Sequence, residues 1–514
     1  MRSSRRLLVL GLCVLAACDT APNEEPASPT PPARPSADRL AAEADSVLVI
    51  GGGADPASTQ ISLAQDVRLA RDTFVHLGAD PTVLFGSGDG SLVQRSTDVA
   101  RTSLREELAD FFDPRDRAVR YESFDVRAMG PADSDMVLSL VSSLPLRPEP
   151  RFFFLAGHGE RGDEPWDAII RLWGDVPLSV PEFAEALGEA PARVVITSCF
   201  GGGFASLFFR DGYPPEGTIG SSDVMPNRCG FFASTWDREA SGCDPNPERA
   251  QQQGYAMHFL HALEGQGREG NELDVDFDDD GEVTMLEAHT QARIADRSFD
   301  VPSTTSELFL RMVASKPVEG VRETSDDEDA LEETLEDDGE AAAAPEAEEA
   351  AVIAALGAEL GLPTAVAATS RVEALRDAIA EQEGTHGAIQ ERADYAYYSL
   401  RIRLLERWPI LDDPWHGEHG GILARESSAI EGVLHDSLEA RDYEESLQDQ
   451  ERVALEYDEL QVQLARALVL SRAYENIALT ASLRAQGGEL WQTYQALRQC
   501  ERILPSAFVS PAAP

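Results

Sequence analysis

Two short apolar runs stand out in the hydrophobic pattern of the first part of the chain. Residues 152–155 read Phe-Phe-Phe-Leu and lead into His158, and residues 194–196 read Val-Val-Ile and lead into Cys199. Uninterrupted apolar runs of this length, bounded by glycine, are typical of buried strands in a parallel sheet. We therefore predict two central strands, one ending near a histidine and one near a cysteine.

Further apolar runs at 47–50, 82–85 and 230–235 predict three more strands. Helical patterns separate the runs; in residues 61–77, for example, the apolar side chains repeat at three- and four-residue spacing. Strands that alternate with helices are typical of a doubly wound sheet. Residues 45–315 are therefore predicted to form an α/β domain with a doubly wound, mostly parallel sheet.

Beyond residue 350 the pattern changes to helices alone. The predicted helices span residues 370–384, 389–408, 422–440, 443–484 and 490–504. Their apolar residues repeat every three or four positions, which indicates an all-α helical bundle or antiparallel coiled coil over 351–514. Such a domain can bind a protein partner or self-associate, and its residues do not decide between the two.

Charge separates these two regions. Residues 316–350 contain fifteen acidic and two basic residues, a composition typical of an acidic disordered linker. The whole chain carries a formal net charge of −48, which argues against nucleic acid as a partner.

The N-terminus has the features of an export signal. Arg2, Arg5 and Arg6 precede the apolar run 7–14, and residues 15–18 read Leu-Ala-Ala-Cys. This run resembles a bacterial lipobox, in which the cysteine, here Cys18, is acylated and becomes the new N-terminus. An ordinary secretory signal that happens to contain a cysteine is the alternative.

Residues 19–44 are rich in Pro and Ala and are predicted to form an extended tether after the signal peptide 1–18. No later segment has the length and hydrophobicity of a membrane span. We expect a protein held in the bacterial cell envelope by its N-terminal lipid, at the periplasmic or outer-membrane face.

The two strand ends carry the candidate chemistry. The carboxyl ends of parallel strands meet at one edge of a sheet, so His158 and Cys199 are predicted to share a crevice. A single cysteine with a distant histidine is a typical nucleophile pair. The glycines 201–203 allow close backbone approach and free N–H groups for an oxyanion. Two unrelated core residues are the alternative.

The arrangement of strand, His158 and Gly159, and of strand and Cys199, resembles the clan of cysteine peptidases that includes caspases, legumain, separase and the GPI-anchor transamidase. The run 234–243, Ser-Thr-Trp-Asp-Arg-Glu-Ala-Ser-Gly-Cys, resembles the legumain segment that borders the specificity pocket. Residues 197–201, Thr-Ser-Cys-Phe-Gly, match the caspase signature only in part. The resemblance covers residues 45–315.

The resemblance implies a cysteine endopeptidase that acts on proteins or peptides without a catalytic cofactor. Cys199 would attack the scissile carbonyl while His158 moves the proton. The N–H groups of Gly159 and Cys199 would form the oxyanion hole. Glu239 and Ser241 would line a substrate pocket that is polar or accepts a basic side chain.

Two other classes of function stay open at this stage. The same acyl-enzyme would serve a transamidase that joins a protein to an amine. A catalytically inactive envelope scaffold that binds its partners through the helical domain is the second alternative.

Residues 276–287 follow the pattern of the twelve-residue EF-hand loop. Gly281 takes the position of the sharp turn, and the expected ligands are Asp276, Asp278, Asp280, Glu282, Thr284 and Glu287. We expect a structural calcium ion inside the peptidase domain. The alternative is an acidic turn before a helix that has Glu287 in its first turn.

Cys229 and Cys243 bracket the predicted strand 230–235. An oxidising compartment permits a disulfide between them, although two loop cysteines can also stay free. Cys500 has no evident partner.

Overall fold

The computed structural model describes residues 35–44, 46–97, 103–113, 119–248, 252–314 and 345–508. The described residues from Pro35 onward form one compact unit. Cys18 and the predicted signal peptide lie outside the described residues, as does most of the predicted acidic linker.

The strands are short and lie before residue 305. They are β1 (Val47–Gly51), β2 (Thr82–Phe85), β3 (Leu92–Ser96), β4 (Val119–Ser123), β5 (Arg151–Ala156), β6 (His158–Glu160), β7 (Ile169–Arg171), β8 (Leu178–Ser179), β9 (Ala192–Ile196), β10 (Arg228–Phe232) and β11 (Ser303–Thr304).

The helices become longer toward the C-terminus. They are α1 (Ala37–Glu43), α2 (Ile61–His76), α3 (Leu104–Phe112), α4 (Ser134–Ser143), α5 (Val180–Leu187), α6 (Tyr255–Leu263), α7 (Met285–Ala295), α8 (Thr305–Ala314), α9 (Ala347–Leu360), α10 (Ala365–Arg407), α11 (His419–Asp436), α12 (Leu438–Gln486) and α13 (Gly488–Glu501).

The main sheet has six strands in the order β11-β10-β9-β5-β1-β2. All neighbours pair in parallel except β10 and β11. Alternate side chains of each strand point to opposite faces, so Val47 and Val49 join one core with α2, α6 and α7, while Leu48 and Ile50 join another with α4 and α5. Apolar cores on both faces explain the uninterrupted apolar runs and confirm the predicted doubly wound, mostly parallel sheet.

The C-terminal region is helical, as predicted, and its longest helices, α10 and α12, pack side by side. Arg371 reaches Gln463 near one end of the pair, and Arg403 reaches Glu439 near the other, so the two helices are antiparallel. The predicted break at Gly384 is wrong, because α10 runs through it. A mid-helix glycine costs only about 1 kcal/mol, which the packing of the flanking turns can offset.

The far end of this helix pair is covered by α3, a helix inserted between β3 and β4. Leu108 and Phe111 of α3 share an apolar cluster with Leu400 and Trp408. The helical region therefore contacts the α/β part through α3, in addition to the contact of α13 with β10.

The last residues of the predicted linker, 316–350, form the start of helix α9 and are not disordered. Glu348 lies in the first turn of α9 and is 2% exposed, with Oε1 at 2.9 Å from Nε of Arg502 and Oε2 at 3.3 Å from Arg498. A local count of charges cannot detect guanidinium partners about 150 positions away. The acidic residues at the end of this stretch therefore belong to the packed fold.

The predicted tether, residues 19–44, also differs from the structure near its end. Ser36 caps helix α1 by accepting the Arg39 N–H, and Leu40 is buried in the core that also contains α4. Leu40 and Ala41 are the buried side chains of α1, and they pack in the same apolar core as α4. A short polar segment with two apolar side chains can therefore form a docked helix.

The predicted disulfide between Cys229 and Cys243 is wrong. Cys229 on β10 is bonded to Cys500 on α13, with a Cα–Cα distance of 6.0 Å across 271 positions of sequence, and Cys243 is a free thiol. The pairing follows from the packing of α13 against β10, which no sequence spacing reveals.

A buried carboxylate joins α8 to the long helix α12. Burial alone would favour the protonated form of Glu307, but the guanidinium groups of Arg472, Arg311 and Arg293 outweigh it and lower the pKa of Glu307 to about 2. The Oε1 atom of Glu307 lies 2.8 Å from Arg472 and 3.1 Å from Arg311. The ionised carboxylate is thus a strong link between the two regions.

Among the described residues, no single helix is long and apolar enough to cross a membrane. Helices α9 and α10 pass that test of length and composition only as a pair, and they are bent by 58° at the break between them.

Candidate active site

Cys199 and His158 follow neighbouring strands of the main sheet. Strands β5 and β9 pair in parallel, with Leu155 opposite Ile196, and the two residues lie just beyond the strand ends. The backbones then meet directly: a Cβ atom built on Gly159 would lie 1.7 Å from the Cys199 carbonyl oxygen. Only glycine can occupy position 159 without displacing the cysteine.

A sharp turn presents the Cys199 side chain at the sheet edge. Phe200, the next residue, has a left-handed φ of 56°, which costs a non-glycine residue roughly 1–2 kcal/mol. The Phe200 N–H donates to the Arg238 carbonyl at 2.7 Å and helps to hold the turn. Strained backbone next to a nucleophile is a recurrent feature of active sites.

The Cys199 thiol is held by the backbone of Ala240. Sγ accepts a hydrogen bond from the Ala240 N–H at 3.3 Å, and the thiol donates to the Ala240 carbonyl at 3.4 Å. Burial raises the pKa of Cys199, the Ala240 N–H lowers it, and Glu239 and Asp300 raise it further. Burial thus favours the protonated thiol of Cys199 over the thiolate.

The His158 ring is held by the segment that precedes α2. Its Nε2 atom lies 2.8 Å from the Ser58 carbonyl oxygen and 2.9 Å from Oε1 of Gln60. A carbonyl oxygen only accepts, so Nε2 carries the proton and Nδ1 of the neutral ring keeps its lone pair. Ser58 and Gln60 precede α2, and nothing in the local sequence marks them as partners of the histidine.

No hydrogen bond joins Cys199 to His158 within the described residues; the thiol contacts Ala240 and the ring contacts the segment before α2. Such bonds are often absent from a free active site and form when substrate binds.

The glycine run after Cys199 serves packing and not oxyanion binding, in contrast to the expectation for residues 201–203. Gly201 N–H donates to the Ser198 carbonyl and Gly202 N–H to the Ser234 carbonyl, at 3.1 and 3.0 Å. A Cβ on Gly203 would lie 2.5 Å from the Ala168 Cβ, so close packing requires glycine there too.

The Cys199 N–H remains available for an oxyanion. Among the described residues it donates no hydrogen bond to another residue's backbone carbonyl or side chain. Gly159, the other predicted donor, belongs to β6, which pairs with β7 in a small antiparallel sheet next to the cysteine.

A cavity of about 250 Å³ lies near Cys199 in the sequence of its lining, although neither Cys199 nor His158 lines it. Thr197 lines it two positions before the cysteine, and Ser241 lines it next to Ala240, whose N–H contacts Sγ. Ser241, a predicted pocket residue, lines it, whereas the other predicted residue, Glu239, is exposed and lies outside the lining. The pocket role of Glu239 stays a prediction. Three acidic side chains line the cavity, namely Asp66, Asp244 and Asp300.

Asp300 fixes the wall of this cavity. Its Oδ2 accepts hydrogen bonds from the Ser241 hydroxyl at 2.9 Å and the Tyr255 N–H at 3.0 Å, and its Oδ1 accepts the Ser241 N–H. Burial raises the pKa of Asp300, although these hydrogen bonds lower it. The sequence alone offers one clue to Asp66 as a candidate residue of the cavity, because this acidic side chain lies on the apolar face of α2, one position before Val67.

The predicted calcium loop brings three carboxylates together. Oxygens of Asp276, Asp278 and Glu287 lie within 4.8 Å of one another, a donor set that suits a hard cation such as Ca²⁺. The other two acidic positions act differently: Asp280 Oδ1 accepts the Glu282 N–H at 2.9 Å, and the Glu282 side chain lies outside the cluster.

Glu287 also belongs to a helix cap. Its Oε2 accepts the N–H of Thr284 at 2.9 Å, and Oε1 accepts the N–H of Phe277 at 2.8 Å, so it holds the loop to the first turn of α7. The loop thus has the helix cap of the acidic-turn alternative together with the three clustered carboxylates that a calcium ion would need.

A comparison of the chain with models of protein families finds no match, and a comparison with curated proteins finds none either.

Proposed function

We propose that this protein is a cysteine endopeptidase that cleaves peptide bonds through an acyl-enzyme on Cys199. The observation that carries the proposal is the approach of Gly159 to the Cys199 backbone at the end of two paired strands, with His158 held in the tautomer of a general base. The resemblance to the legumain and caspase clan supports the same assignment.

The geometry suggests how the reaction proceeds. Nδ1 of His158 takes the thiol proton as Sγ forms a bond to the scissile carbonyl carbon, and the Cys199 N–H stabilises the negative charge on the carbonyl oxygen. The imidazolium then gives its proton to the departing amine. Water, deprotonated by the same ring, attacks the thioester, and the thiol is restored when the proton returns to Sγ.

Labelling with peptidyl acyloxymethyl ketones tests the proposal directly. We expect labelling of the wild type at Cys199 and hydrolysis of a fluorogenic peptide library, both lost in Cys199→Ala and reduced in His158→Ala. Cys243→Ala is the matched control, because it removes the other free thiol of the described residues and should leave labelling intact. Equal peptidase activity in wild type and Cys199→Ala would contradict the proposal.

The same experiment distinguishes the alternatives. A transamidase would transfer the acyl group to an added nucleophilic amine in preference to water, which mass spectrometry of the peptide product detects. An inactive scaffold would leave Cys199 unlabelled by every probe.

We infer a lipid anchor at Cys18 from the lipobox resemblance, which places the protein in the bacterial cell envelope. Cys18→Ser should release the protein from the membrane fraction or leave the signal uncleaved. Unchanged membrane partitioning with normal processing would count against the anchor.

A further inference from the structure

The cavity lined by Thr197 and Ser241 is close in sequence to Cys199 and to its partner Ala240. Thr197 lines it two positions before Cys199, and Ser241 lines it one position after Ala240, whose N–H contacts Sγ at 3.3 Å. This cavity is therefore the candidate site for the side chain next to the carbonyl that Sγ would attack. The cavity is smaller than the roughly 300–1,000 Å³ of typical ligand sites, as expected for one side chain.

The lining is acidic. Asp66 is 4% exposed and Asp300 is 3% exposed, and Asp244 lies at the rim. The only basic side chain among the described lining residues is Arg297. Its Nη2 is 3.1 Å from Oε2 of Glu359, an oxygen that Arg466 also contacts at 2.6 Å, and the Arg297 side chain is about half exposed to solvent.

All three carboxylates interact with other groups of the protein, and they differ in their place in the cavity wall. Asp300 is engaged by Ser241 and Tyr255, and Asp244 accepts the Asn246 N–H at 2.8 Å. Asp66 stands on α2 at the side of the cavity, with Oδ2 at 3.8 Å from the position a Cβ would take on Gly242. Its position next to the Ser241-Gly242 backbone allows it to meet a cation that enters the cavity along that segment.

The remaining wall suits a long, partly apolar side chain. Ala233, Met257 and Tyr255 offer apolar surface, and Thr197 and Gln253 offer polar groups. Arginine and lysine have this composition, since their methylene stems pack on apolar surface while the charged head seeks a counter-charge.

We propose that this cavity binds the arginine or lysine side chain that precedes the scissile bond, with the Asp66 carboxylate as its counter-charge. The proposal rests on the proposed peptidase function and specifies its substrate class. Asp300 acts as a positioning residue that holds Ser241 and the start of α6 in place. The sequence predicts a pocket with Glu239 and Ser241 that is polar or accepts a basic side chain; Ser241 lines this cavity, the proposal assigns the counter-charge to Asp66, and the role of Glu239 stays a prediction.

A matched series of acyloxymethyl ketone probes tests the proposal. The probes share one peptide and differ only in the last residue, which is arginine, lysine, citrulline, asparagine or aspartate. Citrulline has nearly the shape of arginine without the charge, so the ratio of arginine to citrulline labelling rates isolates the charge. We expect a ratio of about 10 to 100, the range for a hydrogen bond to a charged group.

Substitution of the proposed counter-charge provides the second arm. Asp66→Asn should bring the arginine-to-citrulline ratio close to one, whereas Asp72→Asn, a change on the exposed side of the same helix, should leave the ratio as in the wild type. A wild-type ratio near one, or faster labelling by the asparagine or aspartate probe, overturns the proposal while the peptidase function stands. Absence of labelling by every probe instead refutes the peptidase function.

A binding measurement keeps the proposal testable even when Asp66→Asn does not fold. Benzamidine, a small amidinium, should slow the alkylation of Cys199 by iodoacetamide in the wild type, and neutral benzamide at the same concentration should not. Equal protection by both compounds, or none by benzamidine, overturns the proposal.

Discussion

Reduction of the disulfide between Cys229 and Cys500 should destabilise the protein strongly. The bond closes a loop of 271 positions, and the chain-entropy relation gives about 5.6 kcal/mol at 25 °C for a loop of this length. Measured values for native disulfides are usually smaller, so we expect a loss of about 2–5 kcal/mol.

The loss of stability should arise mainly because reduction increases the conformational entropy of the unfolded chain. Helix α13 is held by other contacts, because the Glu501 carboxylate accepts hydrogen bonds from the Ser306 N–H and hydroxyl at 2.7 Å. The chain after α13 places Phe508 in the core with Phe74 and Phe152. The native packing can therefore survive the loss of the bond.

Urea unfolding followed by tryptophan fluorescence measures the effect. Dithiothreitol should lower the wild-type midpoint, and the Cys229→Ala/Cys500→Ala variant should have a lowered midpoint that dithiothreitol does not change. Cys243→Ala should keep the full response to dithiothreitol. A wild-type midpoint unaffected by reduction, or a Cys243→Ala variant that loses the response, would refute the assignment.

Four more predictions follow from individual residues. Glu307→Gln should lower the free energy of unfolding by about 3 kcal/mol at neutral pH, because the pKa of Glu307 is about 2 in the folded protein and its ordinary value is 4.5. This contribution is present above pH 4.5 and is lost as the pH falls toward 2, and equal unfolding free energies of wild type and variant at pH 7 would contradict it. Alkylation of Cys199 by iodoacetamide should accelerate as the pH rises through 9, because burial raises its pKa, and a rate that levels off below pH 8 would count against this. Gly159→Ala should abolish active-site labelling because the added Cβ would overlap the Cys199 carbonyl, whereas Gly384→Ala, in open helix surface, should not; normal labelling of the first variant would refute the close approach. Calcium should raise the melting temperature, a chelator should reverse the rise, and Glu287→Gln should remove it; identical melts in all three conditions would leave Glu287 as a helix cap alone.

The apolar pattern determined the main features of the fold. Val47–Gly51 and Arg151–Ala156 could be recognised as buried strands because both of their faces are covered, which removes the polar alternation that an exposed strand would show. Parallel strands then place His158 and Cys199 at one sheet edge, since the reactive ends of such strands lie on the same side. These inferences need only local periodicity and the chain order.

Tertiary packing decided which distant residues meet. The pairing of Cys229 with Cys500, and of Glu348 with Arg498, depends on the docking of α13 against β10 and α9. Short-range spacing carries no information about contacts that are 150 to 271 positions apart. The candidate pocket also depends on tertiary packing. Asp66 on α2 and Ser241 in the loop after β10 are distant in sequence, and they become neighbours only when the helix and this loop pack together.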